Sequence, residues 1–345
     1  MNKLGFHVNW VKPEVLSAIE KVKPLVIKTL HHDVDFWRQV RAIHPSAFII
    51  GRLYDRPQEF ESDPERRGRE FADRVLAERV NELGLYNAWE SFNERINRTH
   101  PKELYEPYDR FQVAFAQRLK ERYPELEAVA MNFATGNLDG RDFIEYFPRT
   151  LETHRYLGFH EYDWPTMWRL HEQGLRDGNE GMWLCLKYRR FMGDVRREYG
   201  DKHVAIITEC GMTQAAHYAL GDDVGWRKEL TEETAARARE SGLQVVVGHH
   251  IAEEQYWESL KWYNDRLCED DYVKGCCIFV VGATGDWVTF ETLGPTIDRI
   301  AAVPKPVPPE VPADVKALAQ DVRALGEQVG RLEALWDAVI RKLAG

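Results

Sequence analysis

Ala205-Ile206-Ile207-Thr208-Glu209-Cys210-Gly211 is a short apolar run that leads into a carboxylate. The run is continuously apolar and does not alternate with polar residues, which is typical of a strand buried on both faces of a parallel sheet. We therefore predict a strand over residues 203–208. Glu209 then stands at the carboxyl end of that strand, where α/β barrels carry their functional groups.

Similar short runs alternate with amphipathic helical stretches through the first 302 residues. Eight strands alternating with eight helices predict an α/β fold, a (β/α)8 TIM barrel, over residues 1–302. An open doubly wound sheet is the alternative, because alternation alone does not prove that the sheet closes. The predicted strands are 4–9, 25–30, 47–53, 85–91, 128–133, 156–161, 203–208 and 275–281. The predicted helices are 13–20, 33–43, 63–83, 108–122, 141–154, 182–199, 252–268 and 296–302, with a further one at 231–241 inside the long connection 210–250.

The composition changes after residue 302. Proline dominates residues 303–312, which predicts an extended linker. Residues 313–345 then carry a heptad repeat typical of a coiled coil, and such a helix needs a partner to cover its apolar seam. We therefore predict self-association through this segment, the alternative being that it folds back onto the barrel. One seam position holds Val315, Val322, Val329, Trp336 and Leu343, and the other holds Leu318, Leu325, Leu332 and Val339.

Charge and cysteine content restrict the function classes. The chain has 345 residues and a formal net charge of −10, which argues against a nucleic-acid-binding surface. No apolar run is long enough for a membrane span, and the first residues do not form a secretory signal. The five cysteines include the adjacent pair Cys276 and Cys277, so disulfides are not expected. These features together predict a cytoplasmic protein, the alternatives being non-classical release or a phage origin.

A second carboxylate, Glu94, follows the predicted fourth strand in the stretch Trp89-Glu90-Ser91-Phe92-Asn93-Glu94. Closure of a barrel places strands four and seven on opposing walls of one mouth, so Glu94 and Glu209 can face each other across a single cleft. Hydrolysis of a glycosidic bond needs such a pair. A gap of roughly 5–5.5 Å between the carboxyl groups leads to retention of configuration, and roughly 6.5–9.5 Å leads to inversion.

These motifs resemble the clan A glycoside hydrolases, a large group of retaining barrel enzymes, over about residues 4–302. The resemblance implies that Glu94 is the acid/base, that Glu209 is the nucleophile and that Asn93 binds the sugar 2-hydroxyl. The sixth strand is similar to the clan's His-x-Tyr, so Tyr162 would hold the nucleophile and His160 would line the site. Trp287 looks like the stacking floor of the sugar subsite.

The chain departs from the clan at two places. Arg95 stands where the clan often has proline. Many members carry an arginine at the end of strand two, whereas this chain has Lys28 and the pair His31-His32. Arg52, at the end of strand three, is a candidate for the missing cation. These departures leave the subfamily and the substrate open.

Each candidate also has a structural alternative. Arg52 could pair with Asp55 or Glu90, Trp287 could plug the barrel mouth, and His160 could be a core histidine. His250 and Glu254 have the four-residue spacing of a metal edge on a helix, but without a third ligand we interpret them as a solvated face. No phosphate-binding glycine loop is present, and we predict neither a metal nor a cofactor.

The sequence therefore predicts a retaining β-glycosidase that acts on an oligo- or polysaccharide. Aromatic side chains would form its subsites, namely Trp10, Tyr54, Trp164, Trp168, Trp183 and Trp226. The alternative is a carbohydrate-binding or structural barrel that has lost catalysis and is assembled through its coiled coil. Transglycosylation would use the same two carboxylates, and the sequence does not separate it from hydrolysis.

Overall fold

The structure is a computed structural model that describes residues 2–54, 58–214, 224–240, 247–248 and 250–304. Residues up to Pro304 belong to one compact unit. The predicted coiled coil and all but the first two residues of the predicted linker lie outside the described residues, as does Asp55.

Eight parallel strands close into a barrel in sequence order. Closure is made by β1 and β8, which pair in parallel with Phe6 opposite Ile278. The (β/α)8 prediction is therefore confirmed, and the open sheet is excluded. The strands are β1 (Leu4–Val8), β2 (Val26–Thr29), β3 (Phe48–Gly51), β4 (Ala88–Glu90), β5 (Glu127–Phe133), β6 (Tyr156–Asp163), β7 (Val204–Met212) and β8 (Val273–Val281).

Helices follow the strands and begin where local chemistry favours it. Pro13 opens the first helix, and the Asp33 side chain caps the second by accepting a hydrogen bond from the Phe36 N–H. No described helix is long and apolar enough to cross a membrane. The helices are α1 (Pro13–Val22), α2 (Val34–Ile43), α3 (Pro64–Leu76), α4 (Arg79–Glu82), α5 (Tyr105–Arg122), α6 (Gly140–Tyr146), α7 (Pro148–Thr153), α8 (Arg169–Arg176), α9 (Lys187–Tyr199), α10 (Glu232–Glu240), α11 (Glu253–Cys268) and α12 (Pro295–Ala302).

The helix predicted over 63–83 is divided into α3 and α4. Two further predicted helices differ from the structure for identifiable reasons. The helix predicted over 141–154 is divided into α6 and α7, because Pro148 cannot donate a backbone hydrogen bond and starts a new helix. The helix predicted from residue 182 begins only at Lys187. Its start is fixed from outside, since the buried Glu161 carboxylate on β6 accepts hydrogen bonds from the N–H groups of Leu186 and Tyr188.

The barrel interior has an apolar layer near the amino ends of the strands. Side chains alternate along a strand, so residues two positions apart face the same side. This layer is almost fully buried and packs without contributions from the helices. It consists of Val26, Phe48, Ile50, Ala88, Val129, Tyr156, Ile206 and Cys277. Residues further along the same strands form the polar layer described next.

Candidate active site

Two glutamates meet at the carboxyl end of the barrel. Glu209 lies on β7, opposite His160 of β6, and Glu94 lies in the segment after β4. One carboxylate oxygen of Glu94 and one of Glu209 lie within 4.8 Å of each other. Their environments differ, because the Glu94 side chain is 37% exposed and that of Glu209 only 9%. The pair predicted from sequence is therefore brought into one place.

Glu209 is surrounded by donors and cations. Lys28 Nζ donates to its Oε1 at 2.9 Å, and Tyr162 Oη donates to its Oε2 at 3.2 Å. Arg52 Nη1 is 3.5 Å from Oε1. Burial raises the pKa of the Glu209 carboxyl, but the positive charges of His160 and Lys28 outweigh burial and hold the pKa well below its usual range. Glu209 is therefore ionised at neutral pH.

Glu94 is held through its backbone and by one histidine. Its φ of 51° lies in the left-handed region, which a non-glycine residue adopts at a cost. The Glu94 N–H donates to the Asn132 carbonyl at 2.9 Å and so fixes this conformation. Its Oε1 lies 2.7 Å from His160 Nδ1, which is itself 3.7 Å from Glu209 Oε2. His160 therefore contacts one carboxylate and lies close to the second.

Asn132 is accommodated by the absence of a side chain on the neighbouring strand. A Cβ atom at Gly158 of β6 would lie 1.9 Å from Asn132 Oδ1. Asn132 Oδ1 accepts a hydrogen bond from Thr208 Oγ1 at 3.1 Å, beside Glu209 on β7. The segment that carries Glu94 is thus connected to the strand that carries Glu209.

Several buried polar atoms around the barrel mouth have no hydrogen-bond partner within the described part of the chain. They come from the ends of different strands and are Asn9 Nδ2, His31 Nδ1, Asn93 Oδ1 and His160 Nε2. Buried polar groups in proteins are normally paired with protein or water. Hydroxyl groups of a sugar, each a donor and an acceptor, are suited to pair with such atoms.

Aromatic rings lie on one side of the mouth. The partly buried Trp287 contacts Phe279 of β8 at a ring-centroid distance of 5.7 Å and Tyr54 at 5.5 Å. Trp10, after β1, is half exposed and contacts the His31 ring at 4.4 Å. The Trp10 ring is next to the unpaired polar atoms of Asn9 and His31.

The segment that carries Trp287 is anchored by one carboxylate. Glu291 accepts hydrogen bonds from the N–H groups of Gly282, Ala283 and Leu293, at 3.1, 2.8 and 3.0 Å. Both ends of the segment are therefore fixed to the same side chain.

The other predicted aromatic subsite residues differ in accessibility. Tyr54 and Trp183 are about half exposed, whereas Trp164 and Trp168 are partly buried. The prediction that Trp226 forms a subsite is wrong. Only 2% of its surface is exposed, and its ring stacks on Tyr256 at a centroid distance of 4.1 Å. It is a core residue, because the Cys210–His250 connection folds inward at this point.

Two charged or titratable residues of the site were missed in the sequence. Glu90 is completely buried and lies 2.7 Å from Lys28 Nζ. His7, also completely buried, places Nε2 3.7 Å from Glu209 Oε1. Burial, and then the charge of Lys28, lower the pKa of His7 well below its usual value. A charged residue inside a predicted buried strand needs a partner, and that signal could have identified Glu90.

Glu94, His160 and Glu209 also have the spacing of three metal ligands, within 4.8 Å of one another. The cations on Glu209 weigh against such a role, because Lys28 and Arg52 already contact the carboxylate that a metal ion would need and would repel the ion. The second metal candidate does not form a helical edge. His250 precedes α11, and Glu254 pairs with Arg299 at 2.5 Å.

No protein-family model and no curated protein sequence matches this chain. Solved structures of glycoside hydrolases are similar to it. An endo-β-1,3-glucanase of Pseudomonas viridiflava, from family GH128, is 12% identical with a TM-score of 0.48, over 88% of this chain and 98% of the other.

Two larger enzymes are similar over 81% of this chain. β-Glucuronidase 2 of Bacteroides uniformis is 13% identical with a TM-score of 0.46, and a GH2 β-galacturonidase of Eisenbergiella tayi is 14% identical with a TM-score of 0.46. The chain covers 30% and 43% of their lengths. At such identities the chemistry of this chain must be derived from its own side chains.

Proposed function

We propose that this chain is a retaining glycoside hydrolase that cleaves β-glycosidic bonds of an oligo- or polysaccharide, with Glu94 as the acid/base and Glu209 as the nucleophile. The observation that supports this most directly is the separation of the two carboxylates, with oxygens within 4.8 Å. Retaining enzymes place their carboxyl groups roughly 5–5.5 Å apart, whereas inverting enzymes leave room for a water molecule.

The two environments suit the two roles. Glu209 is buried among Lys28, Arg52 and the Tyr162 hydroxyl, which keep it ionised and oriented for attack. Glu94 is more exposed, so it can reach a leaving-group oxygen and later a water molecule. Pairs of titratable groups in contrasting surroundings are typical of acid–nucleophile catalysis.

In the first step, Glu94 donates its proton to the glycosidic oxygen while a Glu209 oxygen attacks the anomeric carbon. The C–O bond to the leaving group breaks and a glycosyl ester of Glu209 forms. In the second step, Glu94, now a carboxylate, takes a proton from water, which attacks the anomeric carbon and releases Glu209. Two inversions give net retention, and the proton is returned to Glu94.

The substrate would be held by stacking and by hydroxyl contacts. We assign Trp287 to the sugar at the cleavage site and Trp10 to a neighbouring unit. Asn93 is assigned to the 2-hydroxyl and His160 to the hydroxyls around the scissile bond. Aromatic faces and unpaired polar atoms at one end of the barrel favour carbohydrate over purely apolar ligands.

The experiment is a screen of chromogenic β-glycosides and polysaccharides, followed by Glu209→Ala. We expect this variant to lose hydrolysis and to recover turnover of an activated substrate with azide, which gives the α-glycosyl azide. Glu127→Ala, at the opposite end of the barrel, is the control and should keep wild-type activity. Full activity of Glu209→Ala would refute the assignment. Sugar binding without turnover across the panel would favour a carbohydrate-binding barrel.

We also propose that residues 313–345 assemble the chain into a homo-oligomer, as the heptad pattern predicts. Removal of the residues after Pro312 should lower the number of chains per assembly, calculated from the mass measured by light scattering, and leave the barrel folded. An equal number of chains per assembly for the truncated and full chains would mean that the apolar seam is covered within one chain.

A further inference from the structure

A buried ion pair lies beside the proposed nucleophile. Lys28 Nζ is 2.7 Å from Glu90 Oε2 and 2.9 Å from Glu209 Oε1. Lys28 and Glu90 are completely buried, and the Glu209 side chain is 9% exposed. The three residues come from β2, β4 and β7, so their contacts cross the barrel interior. One ammonium group is therefore shared between two carboxylates.

Other titratable or charged groups face this arrangement from the remaining strands. They are His7 on β1, Arg52 after β3, Glu94 after β4, His160 and Tyr162 on β6 and the Cys277 thiol on β8. His7 is neutral at neutral pH because burial and the charge of Lys28 lower its pKa. Lys28 and Arg52 are the ammonium and guanidinium cations in contact with Glu209. The charge of Lys28 is the one that Glu90 can modulate directly.

We propose that Glu90 is a positioning residue that sets how strongly Lys28 binds the nucleophile Glu209. The inference rests on the proposed function. If the ammonium ion bound only one buried carboxylate, it would stabilise the lone pairs of that carboxylate strongly. The carboxylate would then be a weaker nucleophile. A second anion on the far side of the ammonium shares its charge, so Glu209 stays ionised and able to attack.

Burial makes this sharing strong. Coulombic interactions are several times larger in the interior than in water. The Glu90 carboxylate, 2.7 Å from Lys28 Nζ, therefore changes the electrostatic attraction between Lys28 and Glu209. Glu90 also makes a buried ammonium tolerable, since an unpaired charge in this position would be costly. The pair thus allows the barrel to hold a cation against the nucleophile without fully neutralising it.

The test uses Glu90→Gln, Lys28→Met, the double variant and Glu127→Gln as the matched control. Glu127 is also on a strand, but it pairs with Lys120 at the other end of the barrel. The Glu209 carboxyl is titrated by carbon-13 NMR of glutamate-labelled full-length protein, and its signal is assigned by its loss in Glu209→Gln. This measurement needs no substrate.

We expect Glu90→Gln to lower the Glu209 pKa, because the whole ammonium is then available to Glu209. Lys28→Met should raise that pKa by about one unit or more. The double variant should lie between Lys28→Met and wild type, since the repelling anion is also gone. Glu127→Gln should leave the titration unchanged. If Lys28→Met does not fold, Glu90→Gln alone decides the outcome.

The kinetic measurement uses an aryl β-glycoside with a poor leaving group, so that attack by Glu209, and not hydrolysis of the glycosyl ester, limits kcat. Glu90→Gln should lower kcat by about threefold per unit of lost basicity, by analogy with the dependence known for thiolate nucleophiles, while KM stays near wild type. The acidic limb of the pH profile should move to lower pH. An unchanged or raised Glu209 pKa in Glu90→Gln would overturn the proposal. Failure to hydrolyse any glycoside would instead refute the proposed function, while the titration still decides the role of Glu90.

Discussion

The barrel interior contains two layers that use the same strands for opposite purposes. Val26 and Ala88 lie in the apolar layer, and Lys28 and Glu90 lie two residues further along the same strands. That step is about 7 Å. Packing and charge are therefore separated along each strand. The fold can tolerate the buried charges because they pair with one another.

The two layers should respond differently to mutation. Removing an apolar side chain costs the transfer free energy and leaves a cavity. Removing one charge from the polar layer changes the field at the site, and the net effect on folding depends on which partners remain. The four predictions below test this contrast.

The largest effect is expected for Glu209→Gln in the polar layer. Activity per molecule should fall by about 10⁴-fold or more, as for other residues that act as part of a catalytic unit. Folding should be little affected, because Lys28 keeps Glu90 as its partner. Steady-state kinetics and urea unfolding of the same preparation measure both quantities. A loss of activity accompanied by unfolding would contradict the proposed difference between the polar and the apolar layer.

The next effect is expected for Ile50→Ala in the apolar layer. Ile50 is completely buried, so the free energy of unfolding should fall by about 2–5 kcal/mol. The kcat of the folded fraction should stay near wild type, although Arg52 is only two residues away. Urea unfolding gives the first value, and active-site titration followed by kinetics gives the second. A large fall in kcat would mean that the layers are coupled.

A third prediction compares the two faces of β6. His160 and Tyr162 face the site, whereas Glu161 faces the helices, and burial raises its pKa from 4.5 to about 7. Between these values the folded chain keeps a proton that the unfolded chain has released, so Glu161 contributes less stability as pH rises through this window. The loss should be roughly 3 kcal/mol.

Glu161→Gln lacks this titration. Its free energy of unfolding relative to wild type should therefore improve between pH 4.5 and pH 7. Urea unfolding at several pH values measures the difference, with Glu127→Gln as the control. A pH-independent difference would contradict the prediction.

The smallest effect is expected at the rim of the site. Trp10→Ala removes a half-exposed ring and should raise KM for an oligosaccharide about fivefold, or about 1 kcal/mol. It should leave KM for a single-sugar aryl glycoside nearly unchanged. Leu175→Ala, which removes another exposed apolar side chain, is the control. Equal effects on both substrates would place Trp10 outside the neighbouring subsite.

The number, order and direction of the strands were predictable from sequence, because buried parallel strands leave short apolar runs. Strand ends also indicated where Glu94 and Glu209 would lie. The start of α9 was not predictable, because it is fixed by hydrogen bonds to Glu161 on β6. Local sequence around residue 182 carries no record of that contact.

The partners of the charged residues were harder to predict than their positions. Arg52 was considered as a partner of Asp55 or Glu90, but Glu90 pairs with Lys28, and Arg52 Nη1 lies 3.5 Å from Glu209. Which charges meet inside a barrel depends on the shear of the closed sheet and on side-chain conformation, and neither can be read from one sequence.

The Glu291 carboxylate has a consequence for redesigning the rim of the barrel. It ties Gly282, Ala283 and Leu293 together, so residues 284–290 emerge from a closed stem. A loop whose two ends are held in place can be lengthened, shortened or exchanged while the positions of its ends stay the same. Libraries that randomise this stretch and keep Glu291 would alter the shape of the rim and leave the two carboxylates untouched.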